Sequence, residues 1–457
     1  MKKVLLVSIN KCVYPYPVYP LGISHLGAAL SNSNYDVAFF DLGVSDQQLE
    51  ATISDYNPDF VCLSMRNIDD IRIDNPVYFI PELEKTTLRV RTVCKAPVII
   101  GGSAFSLFPE ELYKLTGADY GIMSEGEVSL VMLLDLLSSQ SISHDTLITI
   151  PGLVYRNGSG IQRNPCRNID AATIPDALRD PAFEAYYKES SGVINIQSQR
   201  GCPCRCCYCT YPVIEGRVPR YRPVKNVVDE ILESKKRGHS YFFMVDSVFN
   251  TSKDHVYSFC EELISRNAQI KWSCFLKPSN LDESMVAVLA KAGLTHIEFG
   301  TDSFSDTVLA AYHKDFTFND IYNASEWARI HNINYAHFLI CGGPGETETT
   351  LNESFINSRQ LKKTVIFPFV GMRLYPDTAL YKRALDEHLI TTGTNLLEPF
   401  FYIAPSITKG KINTLLRSFH EQMPNWMIDD APPEIVAIMK KLRLKGIQGP
   451  LWEFLVR

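Results

Sequence analysis

Between Arg200 and Pro212 the chain reads RGCPCRCCYCTYP, and five of its twelve cysteines (Cys202, Cys204, Cys206, Cys207 and Cys209) fall within that stretch. Thiols crowded in this way point to metal binding or redox chemistry. A structural zinc site takes four ligands, usually as two separated pairs. The remaining cysteines (Cys12, Cys62, Cys94, Cys166, Cys260, Cys274 and Cys341) are isolated and supply no second CxxC. A dithiol redox site needs only one CxxC, which Cys204/Cys207 or Cys206/Cys209 provide, and it leaves the fifth thiol unexplained. An iron–sulfur cluster is held by thiolates, and three of them leave one iron with the open position that makes a metal site catalytic.

Positioning such a loop takes a rigid frame, and the sequence contains two strand–helix series. In the first, KKVLLVSIN, DVAFFDLG, FVCLSMRN, APVIIGGSA and DYGIMSE are short apolar runs bounded by turn residues, as strands buried on both faces are. Helix-like stretches such as LGISHLGAALSNS and GEVSLVMLLDLLSS separate them. The pattern predicts an α/β fold with a doubly wound parallel sheet, whose ligands bind beyond the carboxyl ends of the strands. The segments expected there are YPYPVYPLG, MRNIDD, GGSAFS and SEGE. Gly101 and Gly102 would admit a ligand close to the backbone, with Ser103 and Ser106 as hydroxyl donors; a tight strand-to-helix turn explains the glycines equally well.

The second series has candidate strands VINIQSQ, YFFMVDSV, IKWSCFL, HIEFGTDS, YAHFLICGG and IFPFVGMRLYP. Six repeats are too few for a closed eight-fold barrel and fit a (β/α)6 partial barrel. Chemistry in such barrels belongs at the C-terminal mouth of the strands, where the cysteine loop follows the first strand. A hairpin around NGSG lies between the two series. The expected divisions are 1–145, a linker at 146–190, the barrel at 191–390, and a cap or docking segment at 391–457.

With 457 residues, 46% hydrophobic and 21% charged, the chain is ordinary globular material. Its net charge of −6 gives no electrostatic reason to expect nucleic acid or an anionic membrane. MKKVLLVSIN has too short an apolar run for a signal peptide and meets Tyr and Pro instead of a cleavage site. No run approaches the roughly 20 apolar residues that a bilayer requires. A soluble, cytoplasmic protein acting on a small molecule is expected.

Cys202, Cys206 and Cys209 carry the Cx3Cx2C spacing, and with RGCP ahead of them and an aromatic before the third cysteine the loop resembles the signature of the radical S-adenosylmethionine (SAM) superfamily. The resemblance implies that these three cysteines hold a [4Fe–4S] cluster whose open iron chelates SAM. One electron would then cleave SAM to a 5′-deoxyadenosyl radical. Cys204 and Cys207 become surplus thiols. HIEFGTDSFSDTVL resembles the family's fourth strand, placing Glu298 and Thr301 toward SAM or substrate. FLICGGPGET resembles the fifth-strand glycine segment, with Gly342 and Gly343 near the adenine, and Tyr208 joins the SAM site. GMRLYPDTAL resembles a sixth-strand element carrying Arg373 and Tyr375, which with Glu298 and Asp246 are the catalytic residues that the resemblance implies. The usual motif after strand two is replaced by MVDSVFN, which leaves its polar role to Asp246 or Asn250. Lys277, Lys314 and Arg373 are cations that would hold an anionic group or form structural ion pairs.

The doubly wound domain ahead of this core resembles the cobalamin-binding domain of class B radical SAM proteins, through YPLGISHLGAAL, GGSAFSLFPEEL and GADYGIMSEGE. Tyr19, Leu21, Ser64, Asn67, Gly101, Gly102, Ser103, Glu125 and Gly126 are the cobalamin-facing residues this implies. The Asp-x-His-x-x-Gly element is absent; His25 and His144 stand in other contexts. The implied reaction is cobalamin-dependent methylation of an unactivated carbon, with an external electron donor of flavodoxin or ferredoxin type. The alternatives are a cobalamin-independent dehydratase or mutase with a relic domain, and a non-catalytic metal-binding scaffold.

Overall fold

The apolar runs of both series form strands, and burial follows them closely. Val4, Leu5, Leu6 and Val7 are completely buried, as are Val61 and Val98. β1 (Lys3–Ser8), β2 (Asp36–Asp41), β3 (Phe60–Ser64), β4 (Val98–Gly101) and β5 (Tyr120–Ile122) pair in parallel in the order β2-β1-β3-β4-β5. Such an order reverses direction beside β1, the place where doubly wound sheets bind ligands. The hairpin around NGSG forms β6 (Leu153–Asn157) and β7 (Gly160–Arg163), which continue the sheet antiparallel beyond β5. Local signals set the helix ends: Pro109 opens the helix Pro109–Thr116, and Gly117 closes it at φ +61°.

The second series begins at β8 (Ile194–Ile196). A two-residue ladder follows, β9 (Gln199–Arg200) against β10 (Arg220–Tyr221). Then come β11 (Tyr241–Met244), β12 (Lys271–Leu276), β13 (Leu294–Asp302), β14 (Asn334–Cys341) and β15 (Thr364–Val370). Six of these make a parallel sheet in the order β8-β11-β12-β13-β14-β15, the expected partial barrel. Ser252, Asp282 and Thr347 each accept a backbone N–H at the start of an intervening helix, which satisfies donors that the helix itself leaves unpaired.

Alternation along β13 sorts its residues between two faces. Phe299 stacks on His337, whose ring meets Ser325 on the helix Phe318–Ile330, so this face packs against helices. Glu298 lies on the other face, paired in register with Phe275 and Ala336. The C-terminal turn Trp452–Val456 enters the same space, where Trp452 packs on Ala336 and Val365.

This computed structural model describes residues 1–13, 16–428 and 433–456; Tyr14 and Pro15 of YPYPVYPLG and the terminal Arg457 lie outside the described residues. Two compact units are present: residues 1–71, 76–187 and 210–216, and residues 72–75, 188–209 and 217–457. Among the described residues no helix is long and apolar enough to cross a membrane.

Candidate active site

The cysteine loop leaves β8 at the C-terminal end of the barrel strands, and Asp246, at the end of β11, fixes its start. Asp246 Oδ1 accepts the N–H groups of Ser198 (2.8 Å) and Gln199 (3.0 Å), and Oδ2 accepts the Ser198 hydroxyl at 2.6 Å. Asp246 is fully buried. The sequence reading gave it a catalytic role; the structure makes it the anchor of the loop, because both of its oxygens are engaged there.

Cys202 is buried and Cys206 and Cys209 are half-buried. The Cys204 thiol donates to the Cys202 sulfur, and this hydrogen bond holds the Cys202 thiol down at about 6, while the shared proton pushes Cys204 far above its ordinary range. Cys204 is thus in contact with a prospective ligand and is not detached from the site. Cys207 differs: burial pushes its thiol up to about 12, and its backbone ties the loop to Tyr312 and Leu380. Among the described residues no three His, Cys, Asp or Glu side chains converge as ligands of a single metal ion. Three thiols on one loop, one already biased toward thiolate, fit a polynuclear cluster, which takes each thiolate at a separate iron.

Both mouth lysines are ion-paired: Lys277 with Asp315 at 2.6 Å, and Lys314 with Asp302 at 2.6 Å. Asp302, missed in the sequence, also accepts the Tyr208 hydroxyl at 2.5 Å. The only local hint was its place at the end of a predicted barrel strand.

Glu298 is 5% exposed. Burial raises its carboxyl to about 7, against a small lowering from the Trp452 indole. Thr301 points to the helix-packed face and donates to the Phe338 carbonyl at 3.3 Å, so its hydroxyl does not serve the mouth. Asn250 has both ends occupied within the fold: its amide N–H groups donate to the carbonyls of Lys277 and Ser279, and its oxygen accepts the Lys277 N–H. The Arg373 guanidinium donates to the carbonyls of Leu374 and Leu396 and lies 4.8 Å from the Tyr375 ring, a backbone-bracing role in place of the catalytic one expected for this pair. Gly342 and Gly343 pack against their own chain: a Cβ would meet Ile412 Cδ1 at 2.7 Å and the Tyr312 hydroxyl at 2.4 Å respectively.

In the first unit, the loops after β1 and β2 enclose a cavity of about 220 Å³, lined by Lys11, Cys12, Pro17, Gly43 and Tyr187 among others. At its edge Asp41 accepts the Tyr187 hydroxyl at 2.7 Å, and burial raises its carboxyl to about 6. No local sequence pattern marks this pair, whose members lie 146 residues apart. Arg66, in MRNIDD, is held by Asn67 at 2.7 Å. Tyr19 shares a hydrogen bond with Ser24, Leu21 begins the helix Leu21–Asn32, and the Ser64 carbonyl accepts the Ile9 N–H. Ser103 and Gly126 open the helices Ser103–Leu107 and Gly126–Ser138, and Glu125 accepts the Ile169 N–H. The Ser106 hydroxyl donates to the Gly102 carbonyl and accepts the Ser124 N–H.

Gly102 has a reason internal to the fold. It sits at φ +96°, and a Cβ there would come within 2.4 Å of the Met65 carbonyl oxygen. Gly102→Ala is therefore expected to destabilise the protein by more than about 1 kcal/mol, from combined left-handed strain and a backbone clash. Chemical denaturation checks this, and an unchanged midpoint refutes it.

A thiol loop at the mouth of a six-stranded partial barrel, in a chain that also carries a doubly wound domain, is the arrangement expected of a radical SAM enzyme of the B12-domain type. Sequence comparison agrees: residues 196–355 match the Radical SAM superfamily and residues 7–134 match the B12 binding domain. The chain thus carries a radical SAM domain and a B12 binding domain. It is 24% identical over 451 residues to tryptophan 2-C-methyltransferase of Streptomyces laurentii, covering 84% of this chain and 74% of the relative. It is 27% identical to anaerobic magnesium-protoporphyrin IX monomethyl ester cyclase of Cereibacter sphaeroides, covering 74% of this chain and 55% of the relative. The fold is that of the methyltransferase TsrM from Kitasatospora setae, solved with tryptophan substrate and a SAM analog, at a TM-score of 0.86, 21% identity and coverage of 100% and 97% of the two chains.

Proposed function

We propose that the chain is a cobalamin-dependent radical SAM enzyme that methylates an unactivated carbon of a small molecule. One observation carries this reading: a B12 binding domain and a radical SAM domain occur in a single chain that aligns over 84% of its length with a C-methyltransferase. When bound, a [4Fe–4S] cluster supplies the electron that cleaves SAM, and cobalamin carries the methyl group. Cys202, Cys206 and Cys209 hold the iron. Tyr208 and the Gly342–Gly343 backbone flank SAM. Glu298, poised near neutrality, moves a substrate proton. Cobalamin belongs at the carboxyl ends of β1 and β3–β5, where Tyr19, Leu21, Ser64, Asn67, Gly101, Gly102, Ser103, Glu125 and Gly126 stand. We assign this domain to 1–145, a linker to 146–190, the barrel to 191–390 and a cap to 391–457. The setting is the cytoplasm, with a flavodoxin- or ferredoxin-type protein as reductant.

The cyclase similarity favours a second reading, radical chemistry without methyl transfer. The dehydratase or mutase alternative shares that feature and dispenses with cobalamin. After anaerobic reconstitution, incubation with hydroxocobalamin and desalting, the protein is expected to retain a stoichiometric corrin band. Once an added low-potential reductant has taken the corrin to the cob(I) level, isotope from the SAM methyl group is expected to appear on it. A clean failure to retain the corrin overturns cobalamin dependence, and a retained corrin that takes no label favours the cyclase-like reaction.

A further inference from the structure

The segment that follows the helix Asp306–Ala311 clasps the cysteine loop. The Tyr312 carbonyl accepts the Cys207 N–H at 3.1 Å, and the His313 ring shares a hydrogen bond with the Arg205 carbonyl at 3.3 Å. The Tyr312 hydroxyl accepts the Gly343 N–H at 3.0 Å and donates to the Ile340 carbonyl at 2.8 Å, so one residue ties the cluster loop to the glycine segment.

Lys314 completes the clasp. Its side chain is 7% exposed and that of its partner Asp302 5%. The ammonium also donates to the Gly300 carbonyl at 3.1 Å and lies 5.8 Å from the ring centres of both Tyr208 and Phe316, which sets its charge beside the cysteine loop, where it acts on the Cys206 and Cys209 thiols. Asp302 and His313 both adopt left-handed φ angles, +65° and +62°, a conformation that non-glycine residues hold only where their surroundings enforce it. A buried charge is costly unless it is paired. This one is paired with a carboxylate and stands beside the loop that carries the prospective cluster ligands.

We propose that Lys314 is a positioning residue that sets the reduction potential of the cluster by keeping its positive charge beside the cysteine loop, while Asp302, shared with Tyr208, holds it in place. Positive charge near the ligand sulfurs stabilises the reduced, more negative cluster and raises its potential. Asp302 opposes that effect. Substitutions at the two partners must therefore move the potential in opposite directions, which a purely structural role would not do. The proposal rests on Cys206 being a ligand.

The test measures iron and sulfide content together with an EPR-monitored redox titration of the reconstituted full chain. Lys314→Met is expected to keep the cluster and lower the reduced-to-oxidised ratio about tenfold at a fixed potential, equivalent to about 59 mV for a one-electron couple. Asp302→Asn is expected to shift the potential upward, and Lys314→Arg to stay near the parent. A full cluster with unchanged potential in Lys314→Met overturns the proposal. Should Lys314→Met fail to hold iron, Asp302→Asn decides: an unchanged or lowered potential overturns it. Failure of the ligand reading would show separately, as Cys206→Ala retaining its full iron content.

Discussion

Replacing Cys202, Cys206 or Cys209 with Ala is expected to abolish the cluster and with it all SAM cleavage, while Cys207→Ala keeps both. The three thiols share one loop, and among the described residues no other group of His, Cys, Asp or Glu offers a substitute ligand set. Losing one therefore leaves an iron without its protein ligand. Cys207 is buried, and its loop-holding bonds come from its backbone, which Ala preserves. Cys204→Ala falls between. The cluster assembles, but Cys202 loses the donor that favours its thiolate, so reconstitution is expected to need higher pH. Iron and sulfide analysis with the charge-transfer absorbance reads all five variants. A cluster retained in Cys202→Ala but lost in Cys204→Ala would reverse the ligand choice.

Glu298→Gln is expected to weaken catalysis and yet strengthen the fold above neutrality. Burial raises this carboxyl from 4.5 to about 7. Between those values the native state binds more protons than the unfolded chain, so stability falls as pH rises and stays low above about 7. The full penalty is roughly 3 kcal/mol, from about 1.4 kcal/mol per unit. Gln escapes it but leaves an amide N–H₂ without a partner, costing about 1 kcal/mol. The variant should be less stable than the parent by about 1 kcal/mol at about pH 4, below both values, and more stable by about 2 kcal/mol at about pH 8, combining those two effects. Glu346, also raised to about 7, titrates identically in both proteins and cancels. Urea unfolding against pH reads the crossing, and parallel curves would refute it. Turnover is expected to fall by about 10²-fold, as when a general base is removed.

Such effects divide between what neighbouring residues announce and what only distant ones create. The strands of both sheets were legible because a strand buried on both faces must be a short apolar run, whatever its neighbours. The hairpin was legible from its turn residues, although its place as β6 and β7 beside β5 was not. Asp246 read as catalytic because a lone carboxylate at a barrel mouth is ambiguous. Its role emerged only when the fold brought Ser198, 48 residues away, to its oxygens. The sequence places Thr301 at the mouth because strand alternation alone does not say which face is the lumen; the His337 side decides that.

By itself, then, the sequence determined the class of chemistry, since a Cx3Cx2C loop after the first strand of a repeating series is a local pattern. The two-domain order and the partial barrel rest on period and turn residues, which are local as well. Tertiary structure alone decided how the loop is held. Tyr208 meets Asp302 across 94 residues, and Asp302 meets Lys314 beyond a helix. It also decided that Trp452 lies beside Glu298. Polar partners so far apart leave no periodic trace in a chain; burial makes their interaction strong, and burial exists only once the barrel has closed around them.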